Sequence, residues 1–171
     1  MTARKELWLL LSMFILPIAL GTAFYFLNPS YFSDNTVNYG ELVQPIITTN
    51  ESEIALEGDN TLQGLWTLAY IDERCDSACN ESIKNIKDIR ILMNDNMLRV
   101  QRIAIIANKT GPSNIDKGLI SATILSDDLQ KKLRNFPKRS VFLIDPLGNI
   151  MLHYKPESLD IKRVIKDLKR L

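Results

Sequence analysis

The N-terminal part of the chain contains 21 consecutive residues without a charged side chain, from Leu7 to Leu27. At a rise of about 1.5 Å per residue, a helix of this length spans the roughly 30 Å hydrocarbon core of a bilayer. Pro17, near its middle, is tolerated in a membrane helix. The run therefore predicts a single transmembrane helix, and the rest of the chain is long enough for one globular domain.

Charges around this run orient the predicted helix. Arg4 and Lys5 precede it, and the first charged residue after it is Asp34. By the positive-inside rule, residues 1–6 form a cytoplasmic tail and the chain after residue 27 lies on the outer side. The N-terminus lacks the Arg- and Ser-rich composition of a mitochondrial transit peptide. We therefore expect a bacterial inner membrane protein with a periplasmic C-terminal domain.

A cleaved signal peptide is the rival interpretation of the same run. Gly21, Thr22 and Ala23 supply small residues near a cleavage point. The apolar stretch continues through residues 24–27, however, beyond the length of an ordinary signal-peptide core, and its aromatic side chains suit a membrane interface. The sequence therefore favours an anchor over residues 7–27.

Composition narrows the chemistry. The chain has 21 Lys plus Arg and 20 Asp plus Glu, so it carries no basic footprint for nucleic acid. Its two cysteines are too few for a disulfide-rich scaffold, and its single histidine is too few for a zinc site built from histidines. After these exclusions, the remaining candidate functions are those that two thiols can perform.

The sequence after the anchor divides into a lead-in and a compact domain. Residues 28–60 contain scattered Pro and Gly and no helical periodicity, which indicates a tether and an irregular or hairpin-like lead-in. Residues 61–171 carry the periodicities of a compact domain. We predict strands at 64–71, 100–107, 141–144 and 150–154, and helices at about 76–94, 126–136 and 158–171. This order is typical of an α/β thioredoxin-like fold, in which helices flank a central sheet.

Cys75 and Cys79 lie between the first predicted strand and the first predicted helix. At a helix N-terminus, unpaired backbone N–H groups and the helix dipole favour a thiolate. The spacing places the two Cα atoms roughly 5–6 Å apart, within reach of a disulfide. We predict a pair that opens and closes. An inert structural disulfide is the alternative, although a five-residue ring restrains little of the unfolded chain.

Charged residues near the motif act on the Cys75 thiol in opposite directions. Negative charges oppose its ionisation and positive charges favour it. The acidic group comprises Asp72, Glu73 and Asp76, and the basic group comprises Arg74 and, from a later segment, Lys138 or Arg139. The sequence does not determine the sign of the net effect.

These features resemble the Sco/SenC family, thioredoxin-like, membrane-tethered proteins of cytochrome c oxidase assembly. The resemblance rests on the anchor, on Cys75-x-x-x-Cys79 after an apolar strand, and on the segment 141–148, a strand followed by Asp-Pro-x-Gly. It covers roughly residues 61–171. It implies a thioredoxin-like domain outside the membrane.

The chain departs from that family at its copper site. In the family, the two motif cysteines and a histidine shortly before the later strand bind copper. Here residues 135–140 contain no histidine, and an ungapped count places the family's histidine at about Pro137. Asp76 replaces the usual proline after the first cysteine, and the resemblance transfers no ligand role to His153. The chain therefore resembles a divergent branch without the full copper site.

The dithiol and the resemblance together predict a thiol–disulfide oxidoreductase that keeps the cysteines of the oxidase copper centre reduced. Cys75 attacks a disulfide of the partner, an oxidase subunit or a copper chaperone, and Cys79 resolves the mixed disulfide. Arg74 is a supporting residue. Pro137 is a second supporting residue if it is the proline, often cis, that faces the cysteine pair in thioredoxin-like folds. The alternative is that Pro137 is a plain loop proline.

Two alternatives stay open at this point. The same two cysteines suit Cu(I), a soft ion that prefers sulfur, so the chain is alternatively a Cu(I) chaperone. It is otherwise a non-catalytic assembly scaffold with a structural disulfide.

The last predicted helix is strongly basic on one face. The basic residues are Lys162, Arg163, Lys166, Lys169 and Arg170. Such a face suits contact with anionic lipid or with solvent, and the pattern by itself favours solvent.

Overall fold

A computed structural model describes residues 3–28, 38–107, 116–156 and 159–171. It divides the chain into two compact units, residues 1–37 and 38–171. The first unit contains helix α1 (Ala3–Leu27). Among the described residues this is the one helix long and apolar enough to cross a membrane, with a mean hydropathy of 2.1 in its most apolar window. The predicted apolar helix is therefore confirmed as a candidate membrane span.

The second unit is a mixed sheet with helices on both faces. Its elements are β1 (Glu41–Thr48), β2 (Ile54–Leu56), β3 (Trp66–Asp72), α2 (Ser77–Leu92), a 3-10 helix (Asn94–Arg99), β4 (Val100–Ile106), β5 (Leu119–Ile124), α3 (Asp127–Leu133), β6 (Val141–Ile144), β7 (Asn149–Tyr154) and α4 (Ile161–Arg170). Within the described residues the strand order is β1-β7-β6-β3-β4-β5-β2. Strands β3, β4 and β5 are parallel, and the other neighbours are antiparallel. The predicted α/β thioredoxin-like class is confirmed.

The sheet begins earlier in the chain than the predicted boundary at residue 61. Strand β1 pairs with β7, and β2 pairs with β5, so the predicted lead-in supplies both edges of the sheet. Val43 and Ile54 are buried in its core. Edge strands have one partner, and Pro45 is therefore tolerated in β1, whose register shifts between Leu42 and Ile47. That irregularity interrupts the alternation by which a strand is predicted from sequence, and β5 was likewise not predicted.

The two faces of the sheet carry separate apolar cores. Helices α2 and α4 cover one face, where α2 buries Ile83, Ile86 and Ile89 at three-residue spacing. Helix α3 covers the other face with Leu129 and Leu133, four residues apart. The three helices begin at acceptor side chains that cap their backbone N–H groups. These caps are Asp76, Ser126 and Asp160.

One cation is buried beside the parallel strands. Arg102 of β4 is 3% exposed, and its guanidinium makes two hydrogen bonds, of 2.6 and 3.3 Å, to the Asp116 carboxylate. Lys87 of α2 lies 3.1 Å from the same carboxylate. The hydrogen bonds from Arg102 hold the pKa of Asp116 well below its usual range. Asp116 therefore stays ionised in the folded protein and compensates the buried charge.

Replacement of Asp116 by Asn should lower the free energy of unfolding by about 1–3 kcal/mol at pH 7, because Arg102 loses its charged partner. A carboxyl whose folded pKa is depressed contributes stability above its unfolded pKa, and this contribution is lost as pH falls. The gap between wild type and Asp116→Asn should therefore narrow below about pH 4. Urea unfolding of the detergent-solubilised chain at pH 7 and pH 3 measures this difference in the free energy of unfolding.

Asp128→Asn is the matched control, because Asp128 is 69% exposed and its ion pair with Lys132 lies on the surface. It should cost less than about 1 kcal/mol. Equal losses for the two variants at pH 7 would contradict the role assigned to Asp116.

Candidate functional site

The two cysteines lie at the junction between the end of β3 and the start of α2. Asp76 is the N-cap of α2, and its Oδ1 accepts the backbone N–H of Cys79 at 3.1 Å. Cys75 therefore precedes the cap, and Cys79 is the third residue of the helix. The two residues form a disulfide with a Cα–Cα separation of 5.0 Å, in agreement with the distance expected from the spacing.

The two sulfurs differ in burial. Cys79 is 0% exposed and belongs to the core between α2 and the sheet. Cys75 is partly exposed and lines an open cleft of about 1040 Å³. The cleft is also lined by Asp72, Glu73, Arg74, Asp76, Ala78, Ser82, Lys138, Arg139 and Pro156. An approaching sulfur therefore reaches Cys75 before Cys79.

The predicted basic residues 138 and 139 reach this cleft, where they pair with its acids. Arg139 bridges two carboxylates, with its Nε 3.4 Å from Asp72 and its guanidinium hydrogen-bonded to Asp76. Lys138 Nζ lies 3.3 Å from Glu73. These ion pairs are partly or fully exposed and contribute little to stability. They partly balance the negative charge next to Cys75.

Arg74 differs from these two cations. It is exposed, it lines the cleft beside Cys75, and within the described part of the chain it makes no ion pair. Its charge is therefore available to an anionic group that enters the cleft.

A polar chain connects the cleft to the core of the sheet. The Tyr70 hydroxyl donates to Asp72 Oδ2 at 3.0 Å, and Asp72 in turn pairs with Arg139. Burial and the Asp72 carboxylate raise the pKa of Tyr70, so its hydroxyl stays a neutral donor. The backbone N–H of Cys79, and secondarily Arg139, hold the pKa of Asp76 below its usual range. Asp76 is therefore ionised at neutral pH, directly beside Cys75.

Pro137 lies outside the cleft that Cys75 lines. It is exposed, its peptide bond is trans, and it lines a neighbouring cavity of about 270 Å³ with Phe136 and Phe142. This cavity shares three lining residues with the Cys75 cleft. The proline that lines the Cys75 cleft is Pro156, which follows β7. Sequence reasoning missed Pro156, because a proline shortly after a strand is an ordinary loop residue and carries no functional signal.

His153 packs on the opposite face of the sheet from Cys79. Its ring lies 5.0 Å from that of Phe136 and is stacked on Phe142, in the core covered by α3. Its Nε2 is 3.3 Å from a carboxylate oxygen of Glu41. A copper ion held by the cysteines would therefore not reach this imidazole.

The described residues do not complete a three-ligand copper site. Residues 3–28, 38–107, 116–156 and 159–171 contain no group of three His, Cys, Asp or Glu side chains placed to hold a metal. The donor set at the motif is two sulfurs, which are joined to each other here. Two thiolates suit Cu(I) once the disulfide is reduced, and they lack the nitrogen that Cu(II) favours.

Comparison with known proteins places the domain among thioredoxin-like folds. The family model for a transmembrane-like, thioredoxin-like, C-terminal domain matches residues 66–171. No curated protein sequence matches the chain. Solved structures of Sco proteins are similar in fold, at sequence identities that establish the fold alone.

Three of these structures illustrate the range. Apo Sco1 from Thermus thermophilus has a TM-score of 0.57 and 16% identity, over 80% of this chain and 98% of that one. BsSco, a member of the Sco family of cytochrome c oxidase assembly proteins, has a TM-score of 0.50 and 14% identity, over 75% of this chain and 96% of that one. Yeast Sco1 with copper bound has a TM-score of 0.50 and 13% identity, over 64% of this chain and 78% of that one.

Replacement of Asp76 by Asn should lower the pKa of the Cys75 thiol and raise the reduction potential of the pair. Asn keeps the helix cap but removes a negative charge beside the thiolate, so the reduced form is stabilised. We expect a rise of about 10–30 mV, measured by equilibration in thiol–disulfide redox buffers.

Glu81→Gln is the control for that change, because Glu81 is an exposed acid on the same helix but does not line the cleft. It should leave the potential near the wild-type value. A potential that falls in Asp76→Asn, or that moves equally in both variants, would contradict the electrostatic role of Asp76.

Proposed function

Since the chain belongs to the family of transmembrane-like, thioredoxin-like C-terminal domains, we propose that it is a membrane-anchored thiol–disulfide oxidoreductase. The observation that carries this proposal is the asymmetry of the pair: Cys75 is accessible in an open cleft, and Cys79 is buried behind it. A purely structural disulfide has no need of an exposed sulfur in a charged cleft. An attacking sulfur and a shielded resolving sulfur are what disulfide exchange requires.

The proposed reaction starts from the reduced pair. The Cys75 thiolate attacks a disulfide of the partner, which forms a mixed disulfide and releases one partner thiolate. The Cys79 thiolate then attacks the Cys75 sulfur, which closes the Cys75–Cys79 disulfide and releases the second partner thiolate. Two electrons pass to the partner, and each released thiolate takes up a proton. An external dithiol donor then reduces the pair for the next cycle.

The fold comparison and the apolar N-terminal helix support a proposal for the partner class. Sco proteins, which the domain resembles in fold, include members described as cytochrome c oxidase assembly proteins. We propose that the partner is an oxidase subunit, or a copper chaperone that serves it, and that reduction of the copper-centre cysteines is the purpose. Arg4 and Lys5 ahead of the uncharged run support a bacterial inner membrane location with the domain in the periplasm.

Two further residues support the reaction in this proposal. Arg74, exposed beside Cys75, stabilises the thiolate of Cys75 or of the partner through its charge. Pro137 acts indirectly, because it begins the turn whose next two residues, Lys138 and Arg139, line the Cys75 cleft.

Removal of Cys79 should trap the mixed disulfide with the partner. In Cys79→Ala, Cys75 can attack an oxidised partner but nothing resolves the product, so we expect a covalent adduct on non-reducing gels. The probe is the oxidised copper-centre domain of the oxidase from the same organism. Adduct yield should exceed that of the matched variant Cys75→Ala by at least about tenfold, because the remaining Cys79 sulfur is buried.

Equal adduct yields from the two variants, or no adduct from Cys79→Ala, would contradict the assigned roles. The reduction potential gives an independent check. We expect a value above about −300 mV, whereas a lower value would mark a structural disulfide and support the scaffold alternative.

Copper binding is the second candidate function, supported by the two sulfurs and by the copper bound to yeast Sco1 of similar fold. Among the described residues, no third His, Cys, Asp or Glu side chain is placed to bind a metal together with the two sulfurs. In an anaerobic Cu(I) titration of the reduced chain with a competing chelator, we expect the chelator to keep the copper. Retention of one Cu(I) per chain, lost in Cys75→Ala, would instead establish the chaperone.

A further inference from the structure

We infer that the outer face of α4 is a docking surface for anionic lipid headgroups. Binding of the headgroups holds the sheet unit against the bilayer in which α1 anchors the chain. This inference goes beyond the dithiol chemistry, and it depends on α1 being a membrane anchor. Its surface, called the basic face, consists of Lys162, Arg163, Lys166, Lys169 and Arg170.

The charge of the basic face is poorly balanced within α4. Five of the ten residues of Ile161–Arg170 are basic, and the single acid is Asp167, which is 0% exposed. Contacts with acids offset part of the charge, among them Asp160 at 3.7 Å from Arg163 and Asp167 at 3.8 Å from Arg170. The side chains of Arg163 and Arg170 are nevertheless 58% and 41% exposed. The face therefore presents net positive charge to its surroundings.

An exposed aromatic ring lies within this cluster of cations. Tyr39 is 45% exposed, and its ring centroid is 5.4, 5.6 and 5.5 Å from the charged groups of Arg163, Lys166 and Arg170. Cations over an aromatic face attract the ring, and the arrangement holds the three side chains together. Tyrosine and basic residues together are the side chains that membrane-surface helices place at the headgroup level. This ring distinguishes the face from an ordinary solvated helix surface.

A buried carboxylate fixes Tyr39 onto α4. Asp167 accepts the backbone N–H groups of Tyr39 and Gly40 at 3.0 and 2.9 Å, and the Tyr154 hydroxyl at 3.0 Å. Gly40 leaves room for this contact, since a Cβ there would lie 2.8 Å from the Tyr154 ring. The start of the sheet unit is therefore attached to the helix that carries the basic face.

The covalent chain limits how far this point lies from the membrane. Tyr39 follows Leu27, the last residue of α1, by twelve residues. A fully extended chain of that length spans at most about 40 Å. A tether of this length permits the end of the basic face that surrounds Tyr39 to contact the bilayer surface.

Charge elsewhere in the unit favours the same orientation. The region around β2 is acidic, and no Lys or Arg occurs between residues 49 and 65. Its acids are Glu51, Glu53, Glu57 and Asp59. Strand β2 is at the opposite edge of the sheet from β1, whose N-terminal end follows Gly40. The charge of Lys132 on α3 acts on Glu53 and offsets part of this negative charge. An anionic bilayer therefore favours the side of the unit that bears Tyr39 over the far edge.

Lysine footprinting of the full chain in nanodiscs tests this inference. Acetylation rates are measured by mass spectrometry in phosphatidylcholine nanodiscs and in nanodiscs with about 30 mol% phosphatidylglycerol. Lys162, Lys166 and Lys169 report on the basic face, and the exposed Lys117 and Lys131 serve as references in the same molecule. We expect the first group to react at least about threefold more slowly in the anionic discs, with recovery in about 0.5 M NaCl.

Charge-reversal variants separate docking from general electrostatics. Lys166→Glu with Lys169→Glu should abolish the salt-sensitive protection of Lys162, whereas Lys117→Glu with Lys131→Glu, the same change in net charge, should preserve it. Equal acetylation rates of the basic-face lysines in the two kinds of nanodisc would overturn the inference. Such a result is expected if the face binds an acidic protein instead of lipid. Equal slowing of all lysines overturns it as well, and so does failure of the chain to enter nanodiscs. The dithiol proposal survives the first two results.

Discussion

The hydrogen bond from the Cys79 backbone N–H to the Asp76 carboxylate sets the geometry on which the proposed site depends. It begins α2 directly after Asp76, so that Cys75 precedes the helix and Cys79 lies in its first turn. Cys79 lies four residues before Ile83, on the face of α2 that packs against the sheet, and this position buries its sulfur. The cap therefore produces one shielded sulfur and one accessible sulfur, an arrangement on which disulfide exchange depends.

The same carboxylate shapes the electrostatics of the pair. A helix N-terminus favours a thiolate, and strongly stabilised thiolates make dithiol pairs oxidising. Here the Cys79 N–H donates to the Asp76 carboxylate and not to a thiolate. The cations Lys138 and Arg139 pair with acids rather than with sulfur. The reduced pair is less stabilised than it would be without these acids, which suits a donor of electrons. This agrees with the direction of transfer in the proposed function.

The departure from the copper-binding pattern has a structural reason. The chain has no histidine before β6, and its single imidazole is held between aromatic rings on the far side of the sheet from the cysteines. Adjacent residues of a strand point to opposite faces, so Tyr154 faces the side covered by α2 and α4 while His153 faces α3. Redox chemistry needs only the two sulfurs, and it does not depend on the missing ligand.

Local patterns in the sequence were sufficient for the apolar N-terminal helix, for the fold class and for the central β3–α2 unit with its cysteine pair. They suffice because a buried strand, a capped helix and a membrane span each impose a periodicity or a length on nearby residues. The edge strands β1 and β2 were not predicted, since an edge strand is specified by its one partner far along the chain rather than by its own alternation. Long-range packing alone decided which groups meet: Arg139 with Asp76, Pro156 rather than Pro137 at the cleft, and Asp167 with the backbone of Tyr39. These contacts join residues 60 or more positions apart, and their chemistry becomes visible only when the sheet brings them together.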